Sequence, residues 1–190
     1  MTLATRSGAI RLDGLDDPLL DAAGWERLLA VSESRTVFQT RDWARAWWSA
    51  YGRGRLLPIV VEHRGEPVLL APFFADGGMA FLIGSGGSDQ LDLIGDTACP
   101  GALEEALAAV RDGTPGFVGI RLYHVPDDST TGARLATAAR HLDLDLFDEG
   151  DLAVPAIAGS DLAGANKATQ LTDVADRTSL RRHERALARL

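Results

Sequence analysis

Apolar residues recur along this chain in two different periods. Between Leu15 and Val31, Leu19, Leu20, Trp25, Leu28 and Leu29 follow helical spacing, although Gly24 inside the run costs about 1 kcal/mol relative to Ala. Thr40 offers a hydroxyl to cap a second helix, Arg41 to Tyr51, where Trp43, Ala46, Trp47, Ala50 and Tyr51 repeat at helical spacing and predict a buried stripe. The period then changes to that of strands. Leu56 to Glu62 and Val68 to Phe74 are β-rich runs joined across His63, Arg64, Gly65, Glu66 and Pro67, and Ala75 to Gly78 supplies a second turn before Met79 to Ile83. Three strands so connected predict an antiparallel meander.

Beyond the meander the pattern alternates. Gly84 to Gln90 reads as a loop, Leu91 to Ile94 as a short strand, and Ala102 to Val110 as a helix with Leu103, Ala106, Leu107 and Val110 on one face and Glu104 and Glu105 at its positive end. Phe117 to Val125 is β-rich. A helix from Thr131 to Leu142 presents Leu135, Ala138, Ala139 and Leu142, and Leu144 to Phe147 and Leu152 to Val154 read as two further strands. The pattern predicts an α+β protein with a central, mainly antiparallel, mixed sheet flanked by helices. Residues 1–157 form its main domain, residues 158–176, rich in Ala, Gly, Asp and Thr, a linker, and residues 177–190 a basic helix.

That final segment, Ser179 to Leu190 (SLRRHERALARL), places Leu180, His183, Leu187 and Leu190 on one face and Arg181, Arg182, Arg185 and Arg189 on the opposite one. No helix-stop residue follows, so the helix is expected to continue into further chain. Residues 177–190 carry a balance of +4, whereas residues 1–176 carry −12. An acidic body with one cationic helix argues against nucleic-acid binding, which needs a broad basic face to displace counterions. The composition, 46% hydrophobic and 24% charged over 190 residues, suits a globular domain. The start lacks the apolar stretch of a signal peptide and every apolar run is too short to span a bilayer, so the sequence reads as cytoplasmic. The single cysteine, Cys99, excludes an intrachain disulfide and a cysteine-cluster zinc site, and His63, His124 and His141 lack the neighbours of a metal site.

Val37 to Trp48 (VFQTRDWARAWW) with Tyr51 and Gly52, the meander ending in Leu70, Ala71, Pro72 and Phe73, the loop Gly84 to Asp92 (GSGGSDQLD) and SLRRHERALARL together resemble the GNAT-type acetyltransferases of the CelD/BcsL group. That group is similar to the FemAB-like enzymes, built from two GNAT-like halves. The resemblance covers about Trp25 to Leu190 and implies the N-terminal half of an acyltransferase acting on an amine or hydroxyl acceptor, in polysaccharide or cell-envelope pathways. It also implies that acetyl-CoA is held by a second half that follows the arginine-rich helix, so that this chain alone is inactive and binds little cofactor.

Within that frame Arg181, Arg182 and His183 would lie near the cleft between halves, with the arginines able to grip an anionic group bidentately. Asp89 and Asp92 are candidates to hold an acceptor amine or hydroxyl, against the alternative that they serve only the turns of a Gly/Ser loop. Trp48, one residue off the predicted stripe of its helix, is a candidate to line a groove. A pyrophosphate cradle needs a glycine-rich loop leading into a helix, and Gly84, Gly86 and Gly87 lead instead into a strand-like run. No G-x-S-x-G elbow is present. A reading from a different class also stands: a non-catalytic partner-binding module or a degenerate remnant, with Leu180, Leu187 and Leu190 joining it to a second GNAT-like half or to a second copy of the chain.

Overall fold

A computed structural model describes residues 7–151. Contacts divide the chain into a compact unit of residues 1–148 and a second of residues 149–190. The linker 158–176, the strand expected at Leu152 to Val154 and the whole basic helix lie outside the described residues. All elements named below belong to the first unit.

In chain order these are β1 (Gly8–Arg11), α1 (Ala22–Val31), α2 (Arg41–Tyr51), β2 (Arg55–His63), β3 (Glu66–Asp76), β4 (Met79–Leu82), β5 (Ile94–Gly95), α3 (Ala102–Gly113), β6 (Gly119–Arg121) and α4 (Thr131–His141), with short 3-10 turns at Pro18–Leu20 and Val37–Gln39. The fold is α+β. Six strands form one mixed sheet in the order β1-β2-β3-β4-β6, with β5 beside the N-terminal part of β3. Among the described residues every pairing is antiparallel except that of β4 with β6.

Alternation along β2 and β3 explains the layers, because successive side chains point to opposite faces. Leu57, Ile59 and Val61 of β2, with Leu69, Ala71 and Phe73 of β3, face Leu103, Ala106, Leu107 and Val110 of α3 and Ala138 of α4. Val60, Leu70 and Phe74 face the other way, onto Trp25, Leu28 and Leu29 of α1 and Ala44 and Trp47 of α2. The meander is therefore covered on both sides. Its turns are tighter than the sequence suggests: β2 and β3 are joined by Arg64 and Gly65 alone, both at positive φ (55° and 82°) as a two-residue hairpin turn requires. Gly77 and Gly78 (56° and 84°) repeat the device between β3 and β4.

Other expectations are corrected. The helix foreseen from Leu15 begins only at Ala22, because Asp21 adopts an extended conformation and its carboxylate caps the Gly24 N–H at 2.7 Å. Thr40 caps α2 as expected, accepting from the Trp43 N–H. The buried stripe of α2 is rotated by about one residue, however: Ala44 and Trp47 are buried, Trp43 and Trp48 half-buried, and Ala46, Ala50 and Tyr51 exposed. Leu91 to Ile94 pairs only at its last residue, through β5, and Phe117 to Val125 shrinks to β6. Leu144 to Phe147 forms no strand, and Phe147 is 82% exposed. Gly8–Arg11 adds a strand the pattern did not foresee, paired with Ile59 to Glu62 of β2. No helix among the described residues is long and apolar enough to cross a membrane.

Candidate functional site

At one end of the sheet the chain leaves β4 through the loop 84–90 and leaves β6 through residues 122–130. These are the carboxyl ends of the one parallel pair, the place where open sheets commonly leave a crevice between diverging connections. The first loop turns through the bonds Ser85 N–H to Leu82 O (3.1 Å) and Gly87 N–H to Gly84 O (3.1 Å). Gly84 sits at φ 109°, and a Cβ there would stand 2.7 Å from both the Leu91 side chain and the Ser88 hydroxyl. Ser88, thus pressed inward, is buried and accepts a hydrogen bond from the Trp43 indole at 3.0 Å. The loop leads into extended residues 91–93 and β5 rather than into a helix, so its glycines present no phosphate cradle at a helix N-terminus.

Next along the chain is Asp92, only 4% exposed. Its carboxylate accepts hydrogen bonds from Ser34 Oγ (3.2 Å), Ser129 Oγ and the Leu93 N–H (2.8 Å). Ser34 in turn accepts from Gln39 Nε2 at 3.1 Å, and the Gln39 carbonyl accepts from the Trp25 indole at 2.9 Å. Burial pushes the Asp92 carboxyl above the ordinary carboxylate range, against the opposing pull of Ser129, Thr131, the Leu93 N–H and Ser34. A parallel contact lies nearer the surface, where Glu33 accepts from the Thr130 N–H (2.6 Å) and Thr130 Oγ1 (2.7 Å) and approaches Arg134 at 3.7 Å. These bonds, the Thr130 hydroxyl first, hold the Glu33 carboxyl below its ordinary range. Two carboxylates thus bind the segment after α1 and the 84–93 loop to the start of α4.

The residues singled out from the sequence are spread over the unit. Asp92 lies inside this seam with its oxygens taken up by protein donors, whereas Asp89 is exposed and meets no hydrogen bond or ion pair from the described residues. Trp48 is half-buried against Phe74 at 5.8 Å and lines a surface depression with Asp13, Leu15, Arg45 and Leu56. Arg181, Arg182 and His183, like Leu180, Leu187 and Leu190, lie outside the described residues. Burial first, then Asp96 and Glu105, push the Cys99 thiol up, which disfavours the nucleophilic thiolate. Among the described residues no His, Cys, Asp and Glu side chains gather in a group able to hold a metal ion.

His124, which the sequence offered only as an unlikely metal ligand, belongs to this site. It has φ 58°, unusual for a residue with a side chain, and its carbonyl accepts the Leu91 N–H at 3.1 Å. Its Nδ1 lies 2.7 Å from the Ser88 carbonyl oxygen. A carbonyl only accepts, so in the neutral ring Nδ1 carries the proton and the Nε2 lone pair is left for another donor. The sequence signals for this region are Asp89 and Asp92 of the Gly/Ser loop, and only Asp92 is drawn into the seam. No family model, curated protein or solved structure matches this chain.

Proposed function

We propose that residues 7–148 form the GNAT-like first half of an acetyl-CoA-dependent acyltransferase of the CelD/BcsL kind, which binds a small-molecule amine or hydroxyl acceptor in the cytoplasm. The observation that carries this reading is convergence. Two of the segments on which the resemblance rests, Val37 to Trp48 and Gly84 to Asp92, are far apart in sequence and adjacent in space, and Leu70 of the third packs in one core with Trp47. Trp43 bonds to Ser88, and Gln39 bonds to the Ser34 that donates to Asp92. Chance motifs scattered over a domain have no reason to meet. Transfer of this class rests on holding acceptor and thioester together and on polarising the thioester carbonyl, and the acyl-CoA site belongs to a second GNAT-like half.

The experiment joins this chain to the polypeptide encoded immediately downstream and follows thiol release from acetyl-CoA across a panel of amines and alcohols. Acceptor-dependent release by the joined protein, and none by this chain alone, is the expected result. A downstream sequence without a GNAT-like half, or a joined protein that binds acetyl-CoA and never transfers its acyl group, contradicts the reading and favours a partner-binding module.

A further inference from the structure

We propose that the depression between the turn 13–18 and α2 is a docking site for an arginine of a partner polypeptide, its guanidinium stacked on Trp48 and paired with Asp13. The inference is independent of the acyltransferase reading, and the depression shares no residue with the seam.

The depression has a volume of about 680 Å3, with Leu15, Trp48 and Leu56 as its apolar walls and Asp13, Asp16 and Arg45 among its polar ones. Trp48 belongs to α2 but is not absorbed by the core. Its ring packs against buried Phe74 at 5.8 Å and stays half-buried, lining this space. Among aromatic side chains the indole face is the strongest partner for a cation.

The carboxylates of the turn differ in what they already hold. Asp17 spends its two oxygens on the Leu19 N–H (2.8 Å) and the Asp13 N–H (2.7 Å). Asp16 is shared by Arg41 at 2.9 Å and Arg45 at 3.6 Å. The Asp13 carboxylate is exposed and meets no hydrogen bond or ion pair from the described residues. Three carboxylates and one guanidinium line the depression, so it draws a cation and repels an anion.

The turn itself shows which cation suits it. Arg41 donates from Nε to the Leu15 carbonyl at 3.0 Å and from Nη2 to Asp16, so one guanidinium already seats edge-on against this segment. A flat, weakly hydrated guanidinium can lie on an indole while its edge donates to a carboxylate, which a compact ammonium cannot do equally well. Leu15 and Leu56 offer apolar surface to the methylene stem. The volume exceeds that of one side chain, which favours a polypeptide that fills it with flanking residues over a free small cation.

The test uses the full chain, labelled with 15N at tryptophan, at physiological salt. The probes are the pentapeptide acetyl-Ala-Arg-Leu-Arg-Ala-amide, its counterparts with citrulline or lysine in place of arginine, and butylguanidinium. Of the four indole N–H resonances, the one missing from Trp48→Leu should move saturably with the arginine peptide and stay still with the citrulline peptide. The lysine peptide and butylguanidinium should bind more weakly. Asp13→Asn should weaken the arginine response roughly two- to fivefold, the size of an exposed ion pair, and Trp48→Leu should weaken binding by a similar factor in calorimetry. Asp13 is exposed, so its variant keeps the test decisive even if Trp48→Leu disturbs α2. An equal response to the citrulline peptide, arginine binding that leaves Trp48 unmoved, or binding untouched by Asp13→Asn overturns the proposal. Lysine binding as tight as arginine would overturn the guanidinium, and butylguanidinium binding as tight as the peptide would overturn the polypeptide.

Discussion

Residues 55–82 bury Leu57, Ile59, Leu69, Leu70 and Phe73 almost completely, whereas the segments around residues 32–39, 84–93 and 124–131 bury Ser34, Gln39, Ser88, Asp92 and Thr131. In the first region neighbours are joined by two-residue turns and the stabilisation is removal of apolar area from water. In the second, partners 58 and 37 residues apart meet through oriented hydrogen bonds to a carboxylate. The two regions should therefore fail differently. Apolar burial is indifferent to pH and large per residue, while the seam is smaller in energy and sensitive to protonation.

The largest effect is expected from the meander. Phe73→Ala removes a fully buried ring from between β3 and the α3 side of the core and should cost about 3–5 kcal/mol, read as a lower denaturant midpoint with unchanged slope at every pH. Next comes the seam. Asp92→Ala leaves the Ser34 and Ser129 hydroxyls and the Leu93 N–H without their acceptor and should cost about 1–3 kcal/mol, and Asp92→Asn, which keeps an acceptor oxygen, should cost less. Equal losses for the two variants would mean that Asp92 fills space and does not bind the loops.

The smallest effects are those of pH, and they have opposite signs. Asp92 holds its proton more tightly in the folded protein than in the unfolded chain. Its contribution is fully present below the ordinary carboxylate pKa and is lost as pH rises through the raised value. Glu33 holds its proton less tightly when folded, so its stabilisation is present above the ordinary value and lost as pH falls through the depressed one. Denaturation of wild type and Glu33→Gln across the acid range should show a difference at neutral pH that closes as pH falls. Wild type should lose ground to Asp92→Asn as pH rises from strong acid through the Asp92 titration.

The contrast between regions also accounts for what could be read from the chain. The meander was legible because its alternation is local: each inward residue of β2 and β3 is marked by its own hydrophobicity, and α3 and α4 display their inward faces in the same way. The stripe of α2 was misplaced by one residue because three tryptophans make almost any face look apolar. Gly8–Arg11 is too short to announce itself, and its strand exists only through pairing with β2. Leu91 and Leu93 are both core residues, but of that run only Ile94 joins the sheet, opposite Leu70 of β3, which no pattern reveals. The seam was invisible for the same reason: Ser34, Gln39, Ser129 and Thr131 are indistinguishable in sequence from turn and cap residues. His124 owes its interest to a carbonyl 36 residues away.

We propose that this chain supplies the acceptor side of an acyltransferase and that acetyl-CoA is held by a second half. Calorimetric titration of the isolated chain with acetyl-CoA at physiological salt decides this. No saturable heat is expected, only a weak attraction of the terminal arginines for the phosphates that added salt removes. Saturable micromolar binding that persists in added salt would place a complete cofactor site in these 190 residues and contradict it.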